Sequence, residues 1–433
     1  MERSEIVDIL ADWNFWRKEI ETGVKREDIL KKLDAFSKLK EIVVVKGIRR
    51  SGKSTSLLQF CKELMERGTK KEDILIVNFE DPRFKKLDLE LMNKIYDVYL
   101  TSIAPSKKHY VILDEVQPID GWEKFARYLH ENKGVNVMVT GSSSKLLSSE
   151  YSTVLAGRHL DIEVKPLSFK EYLSFLKIEA NTEVDIAAKR HSIQRAFYEY
   201  IKWGGFPKVV LAQSEEGKKE LLNAYFQDII IKDIVTRYKI KEIDKIQELA
   251  KYYLVNCSTL QSFNKVKNLL KISLDTVERF SYYLSYAYLV YFISKFSYSK
   301  KEQILNPKKT YCSDTGMRNF VSFNFSEDLG RLAENIVFNW LNKNNAEIYY
   351  WKGKYEADFI VKRGTKIEEA VQVCWSIKKD ETKKRELNGL VEACTELKLK
   401  KGLILTEDFS GEEKIGKITI VYEPLWKWLL KNE

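Results

Sequence analysis

The chain has 433 residues, of which 44% are hydrophobic and 31% are charged. This length predicts two or three domains, and this composition excludes an intrinsically disordered chain. The formal net charge of +10 favours acidic partners, although many lysine-rich proteins carry a similar charge without binding nucleic acid.

Secretion, membrane insertion and a disulfide framework find no support in the sequence. The N-terminus is charged, with Glu2, Arg3 and Glu5 among its first residues, unlike a secretory leader. The longest apolar stretch, residues 284–292, is far shorter than the roughly 20 residues of a membrane-spanning helix. The five cysteines are widely spaced and form no C-x-x-C pair. We therefore expect a cytoplasmic protein without a membrane partner.

The first motif in chain order spans residues 47–54 and matches the phosphate-binding pattern G-x-x-x-x-G-K-[ST] at every fixed position. A β-branched strand at 41–46 precedes it, and a helical pattern at 55–65 follows. In such a loop the backbone N–H groups and a helix N-terminus surround a phosphate. Lys53 is expected to contact the β- and γ-phosphates, and Ser54 to bind Mg²⁺. The predicted nucleotide-binding residues are Gly47, Ile48, Arg49, Arg50, Ser51, Gly52, Lys53, Ser54 and Thr55.

A pair of carboxylates, Asp114 and Glu115, closes the apolar strand at 109–113. We expect Asp114 to share the Mg²⁺ with Ser54, and Glu115 to polarise the attacking water during hydrolysis. The next predicted strands lie at 74–79 and 135–140, and a polar side chain of residues 141–144 is expected to face the γ-phosphate. The N-K-x-D signal that reads guanine does not follow the acidic pair, so ATP is expected rather than GTP.

Arg158 follows the fourth core strand within Ala156-Gly157-Arg158. It is a candidate catalytic residue that neutralises charge on the transferred phosphoryl group, in the same or a neighbouring subunit. The equal alternative is an ordinary surface ion pair. The following segment, 166–240, is predicted to be a helical lid, and Trp203-Gly-Gly-Phe-Pro207 within it predicts a hinge.

A winged helix-turn-helix is predicted from helical patterns at 243–257, 261–270 and 273–284, followed by two strands that flank a basic loop. Residues 241–310 carry twelve basic against six acidic residues. In one interpretation the third helix enters a DNA major groove while Lys300, Lys301, Lys308 and Lys309 contact phosphates. In the other the module is a spacer or a protein-docking surface, since Asp275 and Glu278 on the third helix would repel phosphate.

The C-terminal part has a helix at 328–341, strands at 347–351, 357–361, 370–375 and 402–405, and a helix at 379–397. This order resembles the core of the PD-(D/E)xK nucleases, in which a carboxylate on strand two and an acid and a lysine on strand three bind Mg²⁺ and activate water. Glu334 and Asp358 are acidic, but Gln372 and Cys374 stand where the acid and the lysine are expected. The resemblance therefore implies a degraded nuclease site, unless Glu356, Glu368 or Glu369 supplies a migrated acid.

Taken together, the chain resembles a family of archaeal and bacterial AAA-type P-loop ATPases with a C-terminal domain of unknown function. The motifs that carry this resemblance include Gly47-Ile-Arg-Arg-Ser-Gly-Lys-Ser54, Leu113-Asp-Glu-Val-Gln117, Trp203-Gly-Gly-Phe-Pro207 and Tyr311-Cys-Ser-Asp-Thr-Gly316. The resemblance implies a multidomain α/β fold whose P-loop core has a parallel sheet of the additional-strand catalytic-glutamate type. The predicted domains are 1–165 (N-terminal helix and ATPase core), 166–240 (helical lid), 241–315 (winged helix-turn-helix) and 316–433 (nuclease-like).

Two function classes follow. In the first, an ATPase with ATP and Mg²⁺ changes the arrangement of modules that contact duplex DNA. In the second, the bound nucleotide controls assembly with a protein partner or with further copies of the chain, and DNA has no role.

Overall fold

The computed structural model describes residues 1–104, 109–142, 154–322, 328–344, 346–376 and 380–432. Its contacts divide the chain into two compact units, Met1–Val164 and Lys165–Glu433. Among the helices of these described residues, none is long and apolar enough to cross a membrane.

The first unit alternates helices and strands, the pattern of an α/β fold. Its helices are α1 (Arg3–Trp13), α2 (Glu27–Lys38), α3 (Lys53–Glu66), α4 (Leu89–Ser102) and α5 (Trp122–Lys133). Its strands are β1 (Ile42–Lys46), β2 (Ile74–Asn78), β3 (Tyr110–Asp114), β4 (Asn136–Gly141) and β5 (His159–Glu163). The strands predicted before, between and after the two motifs are confirmed to within a residue or two at each end.

Within the described residues, the five strands of the first unit form one parallel sheet in the order β2-β3-β4-β1-β5. Strand β4 thus lies between the loop strand β1 and the acidic strand β3, the order that an additional-strand core requires. Parallel strands end together at one edge of a sheet, which brings Lys46, Gly141 and Asp114 to the same edge.

Both faces of this sheet are covered, which explains why its strands are almost continuously apolar. The side chains of Ile42 and Val44 pack with those of α1, α4 and α5 on one face. Val43 and Val45 point the other way and pack with α2 and α3. The alternation of β1 therefore fixes which helices flank the nucleotide loop.

The second unit starts with helices and continues as a mixed α/β segment. Its helices are α6 (Phe169–Phe175), α7 (Glu183–Ala188), α8 (Arg190–Trp203), α9 (Pro207–Leu211), α10 (Glu215–Asp228), α11 (Thr236–Tyr238), α12 (Ile243–Val255), α13 (Phe263–Leu270), α14 (Leu274–Tyr286), α15 (Lys300–Leu305), α16 (Thr315–Val321), α17 (Leu329–Lys343), α18 (Asp380–Glu396) and α19 (Leu425–Lys431), with a π-helical segment at Ile229–Val235. Its strands are β6 (Thr259–Gln261), β7 (Val290–Lys295), β8 (Lys308–Cys312), β9 (Glu347–Lys352), β10 (Glu356–Arg363), β11 (Lys366–Val373), β12 (Lys401–Thr406), β13 (Gly411–Ile415) and β14 (Ile418–Pro424).

All of these strands join one sheet, in the order β13-β14-β12-β11-β10-β9-β7-β8-β6 among the described residues. The junction is the parallel pairing of β7 with β9, where Ser294 lies opposite Tyr349. The predicted boundaries at 240 and 315 both fall inside this unit. The strands of the predicted wing and those of the predicted C-terminal domain therefore share one set of backbone hydrogen bonds.

Two details of the second unit differ from the sequence-based expectation. The loop of the predicted wing contains the short helix α15, because Ser299 caps its N-terminus through the backbone N–H of Glu302. The predicted hinge at residues 203–207 is not free, because the Gly205 N–H donates to Asp314 Oδ2 at 2.6 Å. Asn319 Nδ2 also donates to two carbonyl oxygens at the end of α8, so this loop is held against α16.

Candidate nucleotide site and acidic cleft

The loop between β1 and α3 has the backbone geometry that its motif predicts. Gly47 has a φ of +139° and Gly52 a φ of +100°, values that favour glycine. A Cβ on Gly47 would lie 2.1 Å from the carbonyl oxygen of Val164, so a side chain does not fit there. Gly52 caps α3, which begins at Lys53, and the positive end of that helix faces the loop. This geometry favours an anion in the loop.

The other predicted loop residues have distinct environments. Ile48 is buried in the core, whereas Arg50 and Thr55 are exposed. The hydroxyl of Ser51 is buried and, within the described residues, has no hydrogen-bond partner. A buried polar atom without a partner is costly, which makes Ser51 Oγ a candidate ligand contact.

Lys53 and Ser54 lie at the start of α3, beside the two carboxylates. Lys53 Nζ is buried, donates to two carbonyl oxygens of the loop at 3.1 and 3.3 Å, and lies 3.8 Å from Glu115 Oε1. Ser54 Oγ donates to Asp114 Oδ1 at 2.8 Å. The structure therefore brings the two sequence motifs together in one site.

Thr140 and Asn78, which sequence reasoning did not select, hold the acidic pair. Thr140 Oγ1 donates to Asp114 Oδ1 at 2.5 Å and accepts a hydrogen bond from the Glu115 N–H at 2.9 Å. Asn78 Nδ2 donates to Asp114 Oδ2 at 3.3 Å, and Asn78 lies opposite Asp114 in the sheet register. Both residues are polar and close a parallel strand, and this was the signal that could have identified them.

The side chain of Glu115 is fixed by neighbours on its own loop and on the next one. Gln117 Nε2 donates to Glu115 Oε2 at 2.5 Å, and the Ser142 N–H donates to the same oxygen at 3.3 Å. Ser142 belongs to the polar run predicted to face the γ-phosphate; residues 143 and 144 lie outside the described residues. Glu115 has a φ of +53°, so its backbone turns sharply where the strand ends.

Burial and neighbouring charges shift the pKa values of the two carboxyl groups in opposite directions. Burial, and then the charge of Glu115, raise the pKa of Asp114 to about 6. Burial also acts to raise the pKa of Glu115, but the charges of Lys53 and Arg49 outweigh it and lower the pKa. Glu115 is therefore ionised at neutral pH, which is the state that a general base requires.

Two arginines of the predicted site have ion-pair partners. Both terminal nitrogens of Arg49 donate to Glu80 Oε1 at 3.0 Å, and one lies 3.4 Å from Ser142 Oγ. Arg158 Nε lies 2.5 Å from Glu131 Oε1, and the Arg158 side chain is 41% exposed. The structure thus contains the surface ion pair that was the alternative for Arg158. Its role toward the phosphoryl group stays a prediction.

A second group of predicted residues surrounds a cleft of about 680 Å³ in the second unit. Asp358 on β10 and Glu334 on α17 both lie in it, together with Glu356. At its floor is Lys309 of β8, whose Nζ lies 2.8 Å from Asp358 Oδ1, 2.9 Å from Glu334 Oε1 and 3.2 Å from Glu356 Oε1. We call these four residues the Lys309 cluster.

Lys309 was expected at a DNA phosphate, and that assignment is wrong. Its side chain is 3% exposed and is surrounded by carboxylates. Lys308 is half-buried and donates to Ser294 Oγ and to the Gln303 carbonyl oxygen. Of the four lysines predicted to contact phosphates, Lys300 and Lys301 are exposed. Alternation along β8 was the available signal, since one lysine of an adjacent pair must face inward.

Gln372 and Cys374 also lie in this cleft, but within the described residues neither side chain forms a hydrogen bond with Lys309. Gln372 Oε1 accepts the Asp358 N–H at 2.9 Å, and its amide nitrogen donates to Glu386. Cys374 is buried, and burial raises the pKa of its thiol to about 11. Neither side chain supplies a negative charge at neutral pH. Glu386, which lines the cleft from α18, was not selected from the sequence.

Burial and the charges within the Lys309 cluster shift the pKa values of its side chains. Burial, and then the charge of Asp358, raise the pKa of Glu334 to about 8, although Lys309 opposes this. Burial acts to lower the pKa of Lys309, but the three carboxylates outweigh it and raise the pKa well above its usual value. Lys309 is therefore charged at neutral pH. The exposed residues Glu368 and Glu369 do not belong to the cluster.

Two family models match the chain. One describes an AAA domain and matches residues 39–173, which include both nucleotide motifs. The other describes a domain of unknown function (DUF8612) and matches residues 194–328.

Among curated proteins, the chain is 36% identical to the uncharacterized protein MJ1544 of Methanocaldococcus jannaschii over 406 residues, covering 90% of this chain and 88% of that protein. It is 28% identical to an uncharacterized protein of Haemophilus influenzae, covering 94% of this chain and 99% of that protein. Solved structures are more distant. The Aeropyrum pernix Orc1 protein in complex with DNA has 12% identity and a TM-score of 0.34, over 74% of this chain and 96% of that chain. AMPPCP-bound DnaA from Aquifex aeolicus has 15% identity and a TM-score of 0.27, over 60% of this chain and 86% of that chain.

Proposed function

This chain belongs to the AAA-domain protein family that includes MJ1544, and from that premise we propose that it binds ATP and hydrolyses it with Mg²⁺. The observation that carries the proposal is the convergence of Lys53, Ser54, Asp114 and Glu115 around one glycine-bounded loop. Such a site combines a counter-charge for phosphates, oxygen ligands for a cation and an ionised general base.

The residues present fit a nucleotide and its Mg²⁺. The loop leads into the N-terminus of α3, which favours an anion, and Ser51 Oγ offers a buried hydroxyl that has no partner within the described residues. Ser54 and Asp114, already joined by a hydrogen bond, would hold the Mg²⁺. When bound, Mg²⁺ neutralises charge on the phosphate oxygens and orients them.

The protein's own groups then divide the remaining work. Lys53 faces the phosphates from the helix start, with its ammonium group on the loop carbonyls. Glu115 accepts a proton from the water that attacks the γ-phosphorus, while the bond between the γ-phosphorus and the bridging oxygen breaks and ADP leaves. Lys53 Nζ lies 3.8 Å from Glu115 Oε1, beyond the distance of a hydrogen bond. A triphosphate can therefore take over Lys53 and leave Glu115 available to water.

Two substitutions test this assignment. Lys53→Ala should abolish ATP binding, because it removes the buried counter-charge of the loop. Glu115→Gln should preserve binding but lower the turnover number by at least about 100-fold, because an amide does not accept a proton at neutral pH. Binding is measured by calorimetry, and turnover by phosphate release.

Lys62→Ala provides the matched control, since Lys62 is an exposed lysine on the same helix. It should bind and hydrolyse ATP like the parent. Hydrolysis by Glu115→Gln at the parent rate would show that another group is the base.

We further propose that the second unit couples hydrolysis to duplex DNA. In support, α13 and α14 are joined by a short turn at Lys271, whose φ is +53°, and a β7–β8 hairpin follows, the arrangement of a winged helix-turn-helix. Lys265, Lys267, Lys271, Lys300 and Lys301 are exposed in this part of the chain. Their charges favour contacts with phosphates rather than with base edges.

A second candidate function, a nucleotide-gated assembly switch that acts on a protein partner or another copy, is favoured by exposed apolar side chains. Tyr298 is 87%, Ile304 71% and Leu305 72% exposed on the wing, and Leu269 is 60% exposed on α13. Asp275 and Glu278 on α14 are exposed and would repel DNA. A neighbouring copy could place Arg158 at the nucleotide of the next subunit.

One pair of measurements separates the two candidates. The ATPase rate is recorded with and without duplex DNA, and the molar mass is recorded by light scattering with and without ATP. Stimulation by DNA supports the first candidate. A molar mass that changes with ATP, together with an ATPase rate that does not change with DNA, supports the second.

We also propose that the C-terminal segment has a nuclease-like fold without nuclease activity. Strands β10, β11 and β12 and helices α17 and α18 follow the expected order. Gln372 and Cys374 occupy the positions where an acid and a lysine would be needed for metal-assisted hydrolysis.

A further inference from the structure

The cleft of the second unit has a positive charge at the centre of its carboxylates. Lys309 reaches it from β8, Glu334 from α17, and Glu356 and Asp358 from β10, so three separate elements build the cluster. The side chain of Lys309 is 3% exposed, and those of Glu334 and Asp358 are 10% and 9% exposed. The ammonium group is therefore part of the interior and not a surface charge.

Neighbouring groups also hold these carboxyl groups. Asp358 Oδ2 accepts the Val373 N–H at 3.0 Å, and Glu356 Oε2 lies 3.2 Å from Lys352 Nζ. Tyr311 donates its hydroxyl to Glu334 Oε1 at 2.6 Å, the same oxygen that lies 2.9 Å from Lys309 Nζ. These contacts orient one oxygen of each side chain toward Lys309.

The geometry matches an ammonium group and not a divalent cation. An ammonium carries three donors, and Lys309 Nζ has three carboxyl oxygens at 2.8, 2.9 and 3.2 Å. The two shorter distances lie in the range of charge-assisted hydrogen bonds, about 2.7–2.9 Å. Mg²⁺ requires oxygen ligands at about 2.0–2.1 Å in octahedral geometry. Among the described residues, no group of three or more His, Cys, Asp or Glu side chains is arranged to hold a metal ion. With Lys309 among them, the residues of this cleft therefore do not fit the Mg²⁺ that a nuclease-like fold implies.

We propose that the ammonium group of Lys309 is the resident cation of this cleft and occupies the place of a divalent metal ion. Asp358 and Glu356 place negative charge beside this ammonium group, and the chain supplies the positive charge from β8 without a metal. The cleft is consequently a metal-free site, and removing the lysine should convert it into a divalent-cation site. This inference concerns the second unit only, so its test does not depend on whether the first unit hydrolyses ATP.

Mn²⁺ binding by nucleotide-free protein tests the proposal, with free Mn²⁺ followed by electron paramagnetic resonance. The parent and Asp358→Asn should bind the same amount of Mn²⁺, because the cleft takes none. Lys309→Met should bind one additional Mn²⁺ per chain. The double variant Lys309→Met/Asp358→Asn should lose that additional ion, which locates it in the cluster.

Lys308→Met is the matched control, since Lys308 lies next to Lys309 on β8 and contacts Ser294 and Gln303 instead of the carboxylates. It should not gain a Mn²⁺ ion. The proposal is overturned if the parent binds a Mn²⁺ ion that Asp358→Asn loses, or if folded Lys309→Met gains none. If circular dichroism shows that Lys309→Met does not fold, the comparison of the parent with Asp358→Asn decides alone.

Discussion

A single hydroxyl group of Thr140 holds the carboxylate of Asp114 and the backbone of Glu115. It donates to Asp114 at 2.5 Å and accepts from the Glu115 N–H at 2.9 Å. Thr140→Val keeps the shape but removes both hydrogen bonds, and leaving buried polar groups unpaired costs about 1–3 kcal/mol of stability. We expect ATP binding to persist while turnover falls at least about tenfold, because a base displaced by a fraction of an ångström loses efficiency.

Thr140→Ser is the control for this prediction, since it retains the hydroxyl group. It should hydrolyse ATP at close to the parent rate in the same phosphate-release assay. Equal turnover of the valine and serine variants would mean that the hydroxyl does not position the base.

At this scale, residues inside one contiguous motif could be predicted, and residues contributed by distant strands could not. Lys53 and Ser54 follow from eight consecutive letters, whereas Asn78 enters the site only through its sheet register with Asp114. Lys309 shows the opposite failure. Its charge suggested a surface position, but three acidic side chains on other elements, two of them buried, make an interior position favourable.

The loop after α8 is locked to the start of α16, which contradicts its sequence-based role as a hinge. Gly204 has a φ of +73°, and a Cβ there would lie 2.1 Å from Asp314 Oδ1. Gly204→Ala should therefore destabilise the protein by several kcal/mol, on the order of 3, because it adds a clash to backbone strain. Gly364→Ala is the control, since Gly364 has a φ of +57° but open space around its Cα.

Denaturant unfolding of both alanine variants measures the difference. Gly364→Ala should cost only the roughly 1 kcal/mol expected of a left-handed backbone. If the two variants are equally stable, the contact between Asp314 and the loop is not rigid.

Asp314 also gives this contact a pH dependence. Burial raises its pKa to about 6, although backbone N–H groups oppose the shift. The unfolded chain titrates near pH 3.9, so the folded state binds the proton more tightly between about pH 4 and 6, and stability falls as pH rises through that window. Asp314→Asn removes this titration. The stability of the parent relative to the variant should fall by about 2 kcal/mol from pH 4 to pH 6. Urea unfolding of both proteins at each pH measures this, and a constant difference would contradict it.

Elements with strong local patterns could be predicted, and those that depend on tertiary partners could not. The helices at Ile243–Val255 and Leu274–Tyr286 have clear apolar periodicity and were expected at nearly those positions. The helix α15 was expected to be part of a strand-flanked loop, because it has only six residues and its two apolar side chains, Ile304 and Leu305, are exposed. Such a segment carries no helical signal beyond the cap at Ser299.

For the molecule as a whole, we expect duplex DNA to bind through phosphates and to remain uncut. Affinity should fall steeply with added salt, and Lys300→Ala/Lys301→Ala should reduce the slope of log affinity against log salt by about 2. Lys218→Ala/Lys219→Ala removes the same charge from α10 and should leave the slope unchanged. Anisotropy titrations measure the slope, and incubation with supercoiled DNA and Mg²⁺ measures cutting. Cutting that disappears in Asp358→Asn would contradict both this prediction and a metal-free cleft.

The four predicted domains stay a prediction, and the connection between the last two could not be predicted from the sequence. Compact patterns in residues 241–315 and 316–433 suggested separate modules. The pairing of β7 with β9 joins residues more than 50 positions apart, and their sequences carry no mark of it. Such long-range pairing depends on the exposed edge that each module leaves, and this is a property of the assembled sheet.

Because the wing and the cleft share one sheet, binding at the wing and the contacts within the cleft are thermodynamically coupled. Strand β8 carries Lys309 into the carboxylates, and its neighbour β7 bonds to β9, which precedes the strand of Asp358. A ligand that displaces the wing changes the free energy of the contacts that Lys309 makes. By linkage, a change in the contacts of Lys309 then alters the affinity of the wing for that ligand by the same factor. The wing, which we propose meets a partner, and the cleft, which we propose holds a fixed cation, then cannot change independently of each other. Selection on one strand acts on both.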